Sequence, residues 1–128
     1  MSNEISLSAA SLPWPSYVQP IAQLWQALPI LPNAPVWAML AAPQALDALR
    51  AAAAQTQRPL VTLDAHSTQD QVAAHIAQTR PGVVVCAPEV FGWVSKIAFL
   101  NHVHAVYTCG EGGEGTLLDR ARHCVAMP

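Results

Sequence analysis

At 128 residues the chain has the commonest size of one domain, which leaves no room for two separate cores but enough to bury roughly two-thirds of its unfolded surface. Its net charge is −2 and its six basic residues are scattered, so no cationic stripe could follow a nucleic-acid backbone. Its longest apolar runs, such as residues 83–87, are far too short to span a bilayer.

Apolar residues make up 52% of the chain and charged residues only 11%, against a usual charged share of about 25%. Much of that apolar fraction is alanine, yet so little charge predicts a surface covered by a protein partner or by a second copy in a homo-oligomer. The first residues, Met1, Ser2, Asn3 and Glu4, lack the basic and apolar regions of a secretory signal, which predicts a cytoplasmic protein. Cys86, Cys109 and Cys124 are odd in number and widely spaced, as expected of reduced thiols rather than a disulfide framework.

Residues 1–12 are small, polar and without a cap, and are expected to fray. Prolines then recur at positions 13, 15, 20, 29, 32 and 35. Between them Ile21, Leu24, Trp25 and Leu28 fall at helical spacing, with Pro20 suited to the first turn and Pro29 to the end. Residues 1–34 therefore read as a Pro/Trp-rich arm with one short helix. Its Trp14 and Trp25 either pack onto the main domain or form a docking site for a partner.

From residue 35 to 128 the pattern becomes that of an α/β domain. Strands are predicted at 36–40, 60–63, 83–86 and 103–108, and a fifth at 124–127. Helices are predicted at 45–54, where Ala, Leu and Arg favour one, and after Ser67 or Thr68, which can cap a helix with Asp70 and Gln71 in its first turn. Another opens at Pro88 and Glu89 and carries a wide apolar stripe of Val90, Phe91, Val94, Ile97, Ala98 and Phe99. A last short helix runs over 116–123. Strands alternating with helices of about a dozen residues point to right-handed crossovers and a largely parallel sheet of four to five strands. The run Val83-Val84-Val85-Cys86 is apolar throughout, with three β-branched valines, as expected when both faces are covered. The predicted fold is a three-layer, Rossmann-like α/β domain with helices on both faces.

Ligands of open parallel sheets bind beyond the carboxyl ends of the strands, here residues 41–43, 64–67, 86–89 and 109–116. The last is a glycine-rich turn, Gly110-Glu111-Gly112-Gly113-Glu114-Gly115-Thr116, in which three glycines match G-x-G-x-x-G between a strand and a helix. Glu111 and Glu114 would repel a phosphate, and the loop follows the fourth strand rather than the first, so a glycine-rich surface turn is the competing reading. Asp64 and His66 could form an acid/base pair, or simply shape a loop. His102 and His104 flank Val103 at strand spacing and would share a face of the sheet, but no ligand set is spaced as structural zinc sites are, and no metal is predicted. Cys86 and Cys109 both end strands; Cys86 is either a thiol activated by the helix start near Pro88 or a buried, inert one. No catalytic residue and no cofactor is assigned.

The stretch from Pro35 to about Arg120 resembles the first part of the large N-terminal domain of adenylate-forming enzymes: acyl-CoA synthetases, fatty acyl-AMP ligases and peptide-synthetase adenylation domains. The resemblance is carried by Pro59-Leu-Val-Thr-Leu-Asp64, the helix Gln71-Val-Ala-Ala-His-Ile76, and the strands Gly82-Val-Val-Val-Cys-Ala-Pro-Glu89 and Val103-His-Ala-Val-Tyr-Thr-Cys-Gly110. The family's phosphate loop with its lysine, its adenine and ribose motifs and its C-terminal lid have no counterpart, so no functional residue transfers. The resemblance implies a truncated or non-catalytic relative, or a subunit completed by another chain. The first expectation is thus a non-catalytic domain acting through protein contacts. The alternative is a binder of a nucleotide or acyl ligand, or a component of an adenylate-forming enzyme.

Overall fold

A computed structural model of the chain describes residues 14–30, 33–110 and 115–126. Strands β1 (Val36–Met39) and β3 (Val83–Cys86) pair at the centre of a four-stranded sheet, flanked by β2 (Leu60–Thr62) beside β1 and β4 (Ala105–Thr108) beside β3. Every pair is parallel, and the order is β2-β1-β3-β4. The register sets Val36 beside Leu60 and Val83, and Val83 beside Ala105.

Both central strands are buried along their whole length, whereas β2 and β4 are mostly half-buried. Side chains alternate across the sheet as the strand period requires. Val36, Ala38, Val83 and Val85 meet α1 (Val18–Gln26), α2 (Pro43–Gln55) and α5 (Thr116–Ala126) on one face. Trp37, Met39, Val84 and Cys86 meet α3 (Gln69–Thr79) and α4 (Phe91–Leu100) on the other. These are the three layers expected of the sequence, with helices on both faces.

Local chemistry explains where the elements begin and end. Thr68 and Gln71 close a reciprocal capping box at the start of α3: the Gln71 N–H donates to Thr68 Oγ1 at 3.2 Å, and the Thr68 N–H donates to Gln71 Oε1 at 2.9 Å. The C-terminal end of α4 is a Schellman turn in which the Val103 N–H reaches the Ala98 carbonyl and the His102 N–H that of Phe99. His102 takes the left-handed position, φ 61°, that glycine usually fills. That turn holds residues 101–103 back from the sheet, so β4 starts at Ala105 rather than at 103. His102 and His104 consequently do not share a strand face, as their spacing had predicted. Residues 124–126 belong to α5 and not to a fifth strand, because Leu117, Leu118 and Ala121 fix that helix against the core and its path continues to Ala126. Residues 1–12 and Met127 lie outside the described residues.

The arm is part of the core. Trp14, Ile21, Ala22 and Trp25 are buried in the same cluster as α2 and α5. Trp14 sits in a single 3-10 turn, Trp14–Tyr17, leading into α1, and its ring meets that of Tyr17 edge-on at 6.4 Å. Alanines at 45, 48, 52 and 53 let α2 approach closely on the same side.

On the opposite face the fully buried Trp37 needs an acceptor for its indole N–H, and it donates to His75 Nδ1 of α3 at 2.7 Å. Replacing His75→Ala strands that N–H in the interior and should lower stability by about 1–3 kcal/mol, read as a shift of the urea midpoint at unchanged slope.

Candidate functional site

Strands β1 and β3 are neighbours, but α2 leaves β1 for one face and α4 follows β3 on the other. The chain therefore parts at their carboxyl ends, which is where open α/β sheets form their binding crevices. A crevice of about 290 Å³ lies there, lined by Leu40, Ala41 and Ala42 after β1, Ala87 and Glu89 after β3, and Cys109 and Gly110 after β4.

Its floor is made of small apolar side chains and peptide groups. Ala42 precedes α2 and Ala87 precedes the 3-10 turn Pro88–Val90, and neither supplies a side-chain cap. Both elements open on a proline, which has no N–H to offer, so only the next N–H groups, of Gln44 and Glu89, are left to solvent or to a ligand. Glu89 is exposed and is the sole ionisable carboxylate among the described lining residues. Such a site can hold a flat, uncharged group against its floor. Its described lining contains no acid/base pair.

The loop after β4 is fastened at its base. The Thr108 N–H donates to Thr116 Oγ1 and the Thr116 N–H donates to Thr108 Oγ1, each at 2.9 Å. Gly115, at φ 120°, lies so close that an added Cβ would stand 2.5 Å from the Thr108 carbonyl oxygen. Gly110 lines the crevice, whereas Gly115 and Thr116 form this clasp; Glu111, Gly112, Gly113 and Glu114 lie outside the described residues.

The other sequence candidates are dispersed. Asp64 and His66 are exposed beyond β2, three strand spacings or roughly 14 Å from β4. Asp64 caps its own loop, accepting the His66 N–H at 2.7 Å. Trp14 and Trp25 are buried in the core. Cys86 faces α3 and α4, while Cys109 lies in the cluster on the other face, although the Cys109 N–H reaches the Cys86 carbonyl at 2.9 Å. Burial pushes the Cys86 thiol up from 9.0 to about 12, the opposite of an activated thiol. Among the described residues no group of three His, Cys, Asp or Glu side chains could hold a metal ion. What the sequence did not reveal is the convergence of 40–42, 87–89 and 109–110, because that depends on strand order.

Among the described residues no helix is long and apolar enough to cross a membrane. Architecture and crevice together define a Rossmann-like α/β domain with a switch-point site. No family profile and no curated protein sequence matches the chain. Solved structures do resemble it in fold. Apo MatB from Rhodopseudomonas palustris aligns over 85% of this chain at 24% identity and a TM-score of 0.75, and ATP-bound MatB does so at 0.76. The A-PCP didomain of carboxylic acid reductase from Segniliparus rugosus, solved in complex with AMP, aligns over 88% at 16% identity and 0.62. The chain spans 22% of MatB and 17% of the didomain, about a fifth of the proteins it resembles.

Three measurements test this arrangement. Gly115→Ala forces a Cβ onto the Thr108 carbonyl in left-handed backbone, and should cost about 1–3 kcal/mol in thermal or urea unfolding. Cys86 should resist iodoacetamide at pH 8 until the chain unfolds. As pH climbs from 9.0 towards about 12 the unfolded thiol loses its proton first, so stability falls across that window, and Cys86→Ala should flatten the fall.

Proposed function

We propose that the chain is a component of an adenylate-forming, acyl-CoA synthetase-like system that works with a further polypeptide. The observation that carries this reading is the agreement in fold over 85% of the chain with MatB, a protein solved with ATP bound. The family phrases in the strands and in α3 support the same reading. It is favoured over a purely regulatory partner domain, for which the comparisons offer nothing.

Completion by another chain is supported by the chemistry at hand. Lys96 is the single lysine and lies on α4, away from the crevice, so no lysine can attend a phosphate there. The crevice floor suits the uncharged end of a nucleotide or the end of an acyl group, and Glu89 at its rim disfavours phosphates. Phosphate binding and catalysis then fall to the partner polypeptide.

Titrating the chain with AMP to millimolar concentration should shift the amide resonances of residues 40–42, 87, 89 and 109–110. Ala87→Trp, which fills the crevice, should weaken that response by about tenfold or more. ATP–pyrophosphate exchange by the isolated chain should stay at background. Absence of any shift would remove the crevice from the reading, and exchange by the chain alone would refute the need for a second polypeptide.

A further inference from the structure

Among the described residues the large apolar side chains left exposed are Phe91, Phe99 and Leu100, and all three belong to α4, at 40%, 80% and 74% exposure. Its inner side is satisfied, with Val94 and Ala98 buried and Trp93 and Ile97 packed against the sheet. Apart from Ser95 and Lys96 the helix is apolar around its circumference, and such a helix is normally covered. By contrast α2 turns Gln44, Asp47, Arg50 and Gln55 outward.

Phe99 and Leu100 do not stand alone. With Ser95 and Lys96 they line a shallow hollow of about 460 Å³. Leu100 is also a wall of a cleft of about 490 Å³ between the ends of α3 and α4, whose other walls are Ala77, Arg80, Pro81, Asn101 and His102. An apolar pair is thus flanked by the single lysine on one side and by an arginine and a histidine on the other. No carboxylate lines either hollow, and neither Lys96 nor Arg80 is ion-paired among the described residues. The acids of these two elements, Asp70 and Glu89, lie at their opposite ends, roughly 15 Å away along the helices.

The backbone makes the same point. Arg80 at φ 53° and His102 at φ 61° both hold left-handed conformations that glycine adopts without strain. The cleft is thus walled by an arginine and a histidine at two positions where glycine would sit without strain.

We propose that the C-terminal ends of α3 and α4 form a docking surface for an acidic amphipathic helix of a partner protein. Its apolar stripe would cover Phe99 and Leu100, and its flanking carboxylates would meet Lys96, Arg80 and His102. This is independent of the nucleotide reading and uses the other end of the sheet. A second copy of the chain is a poorer occupant, because a two-fold pairing of this patch with itself brings Lys96 and Arg80 to a surface that no carboxylate lines. An anionic membrane is poorer too, since the chain is itself negative and two permanent cations bind such a surface only weakly.

The test uses the full chain and two fluorescein-labelled helical peptides, each with one leucine face, flanked by glutamates in one and by lysines in the other. The glutamate peptide should bind, weaken with added salt, and shift amides of residues 80, 82 and 95–102. Phe99→Ser should abolish binding. Arg80→Gly and His102→Gly should each weaken it about tenfold, while melting no lower than the parent because they relieve the left-handed backbone. A purely structural role for these two side chains predicts unchanged binding. Failure of the glutamate peptide to bind, or equal binding of the lysine peptide, overturns the proposal. Self-association lost in Phe99→Ser would give the surface to a second copy, and cosedimentation with phosphatidylserine vesicles lost in Lys96→Glu would give it to a membrane; either overturns it as well.

Discussion

Two strands without a solvent side govern this molecule. Because β1 and β3 are buried from end to end, each needs helices above and below, and the connections must be divided between the two faces to provide them. The reversal between β1 and β3 is the topological price of covering both faces, and the crevice at Ala41, Ala42 and Ala87 opens at that reversal. On the other face the buried Trp37 indole donates to His75, which ties α3 to the central strand. Site and stability descend from one constraint.

The charge-poor composition has a corresponding explanation. Ala45, Ala48, Ala52 and Ala53 are spent on letting α2 lie close to the sheet, and Trp14 and Trp25 fill the space beside it. Among the described residues most of the apolar excess is consumed inside. The outer side of α4 differs, with three large apolar groups in water. Composition alone names no place for exposed apolar surface; among the described residues the large exposed apolar side chains all fall on this helix.

Much of the fold was legible in the residues. The unbroken Val83-Val84-Val85-Cys86 marks a strand covered on both faces, and Thr68 with Gln71 marks the start of α3 by a pair of bonds that the structure contains. The turn at residues 101–103 was not legible, since its left-handed residue is a histidine and a Schellman turn without glycine leaves no local mark. Residues 124–126 looked strand-like because β-branched and small residues carry weak propensity that packing overrides. The glycine motif drew attention that the crevice, built largely of alanines and peptide groups, could not attract. Alanine carries no chemical signature; only adjacency in space makes those loops a site.

The parallel pairing of β1 with β3 also sets an order of events during synthesis. Val36 can meet Leu60 early, but its other neighbour, Val83, leaves the ribosome only after α2, β2 and α3 have been made. Until then the inner edge of β1 offers unpaired peptide groups and the greasy side chains of Trp37 and Met39, a surface on which nascent chains stick to one another. The chain is therefore most exposed to misassembly in the interval between translation of Val36–Met39 and that of Val83–Cys86.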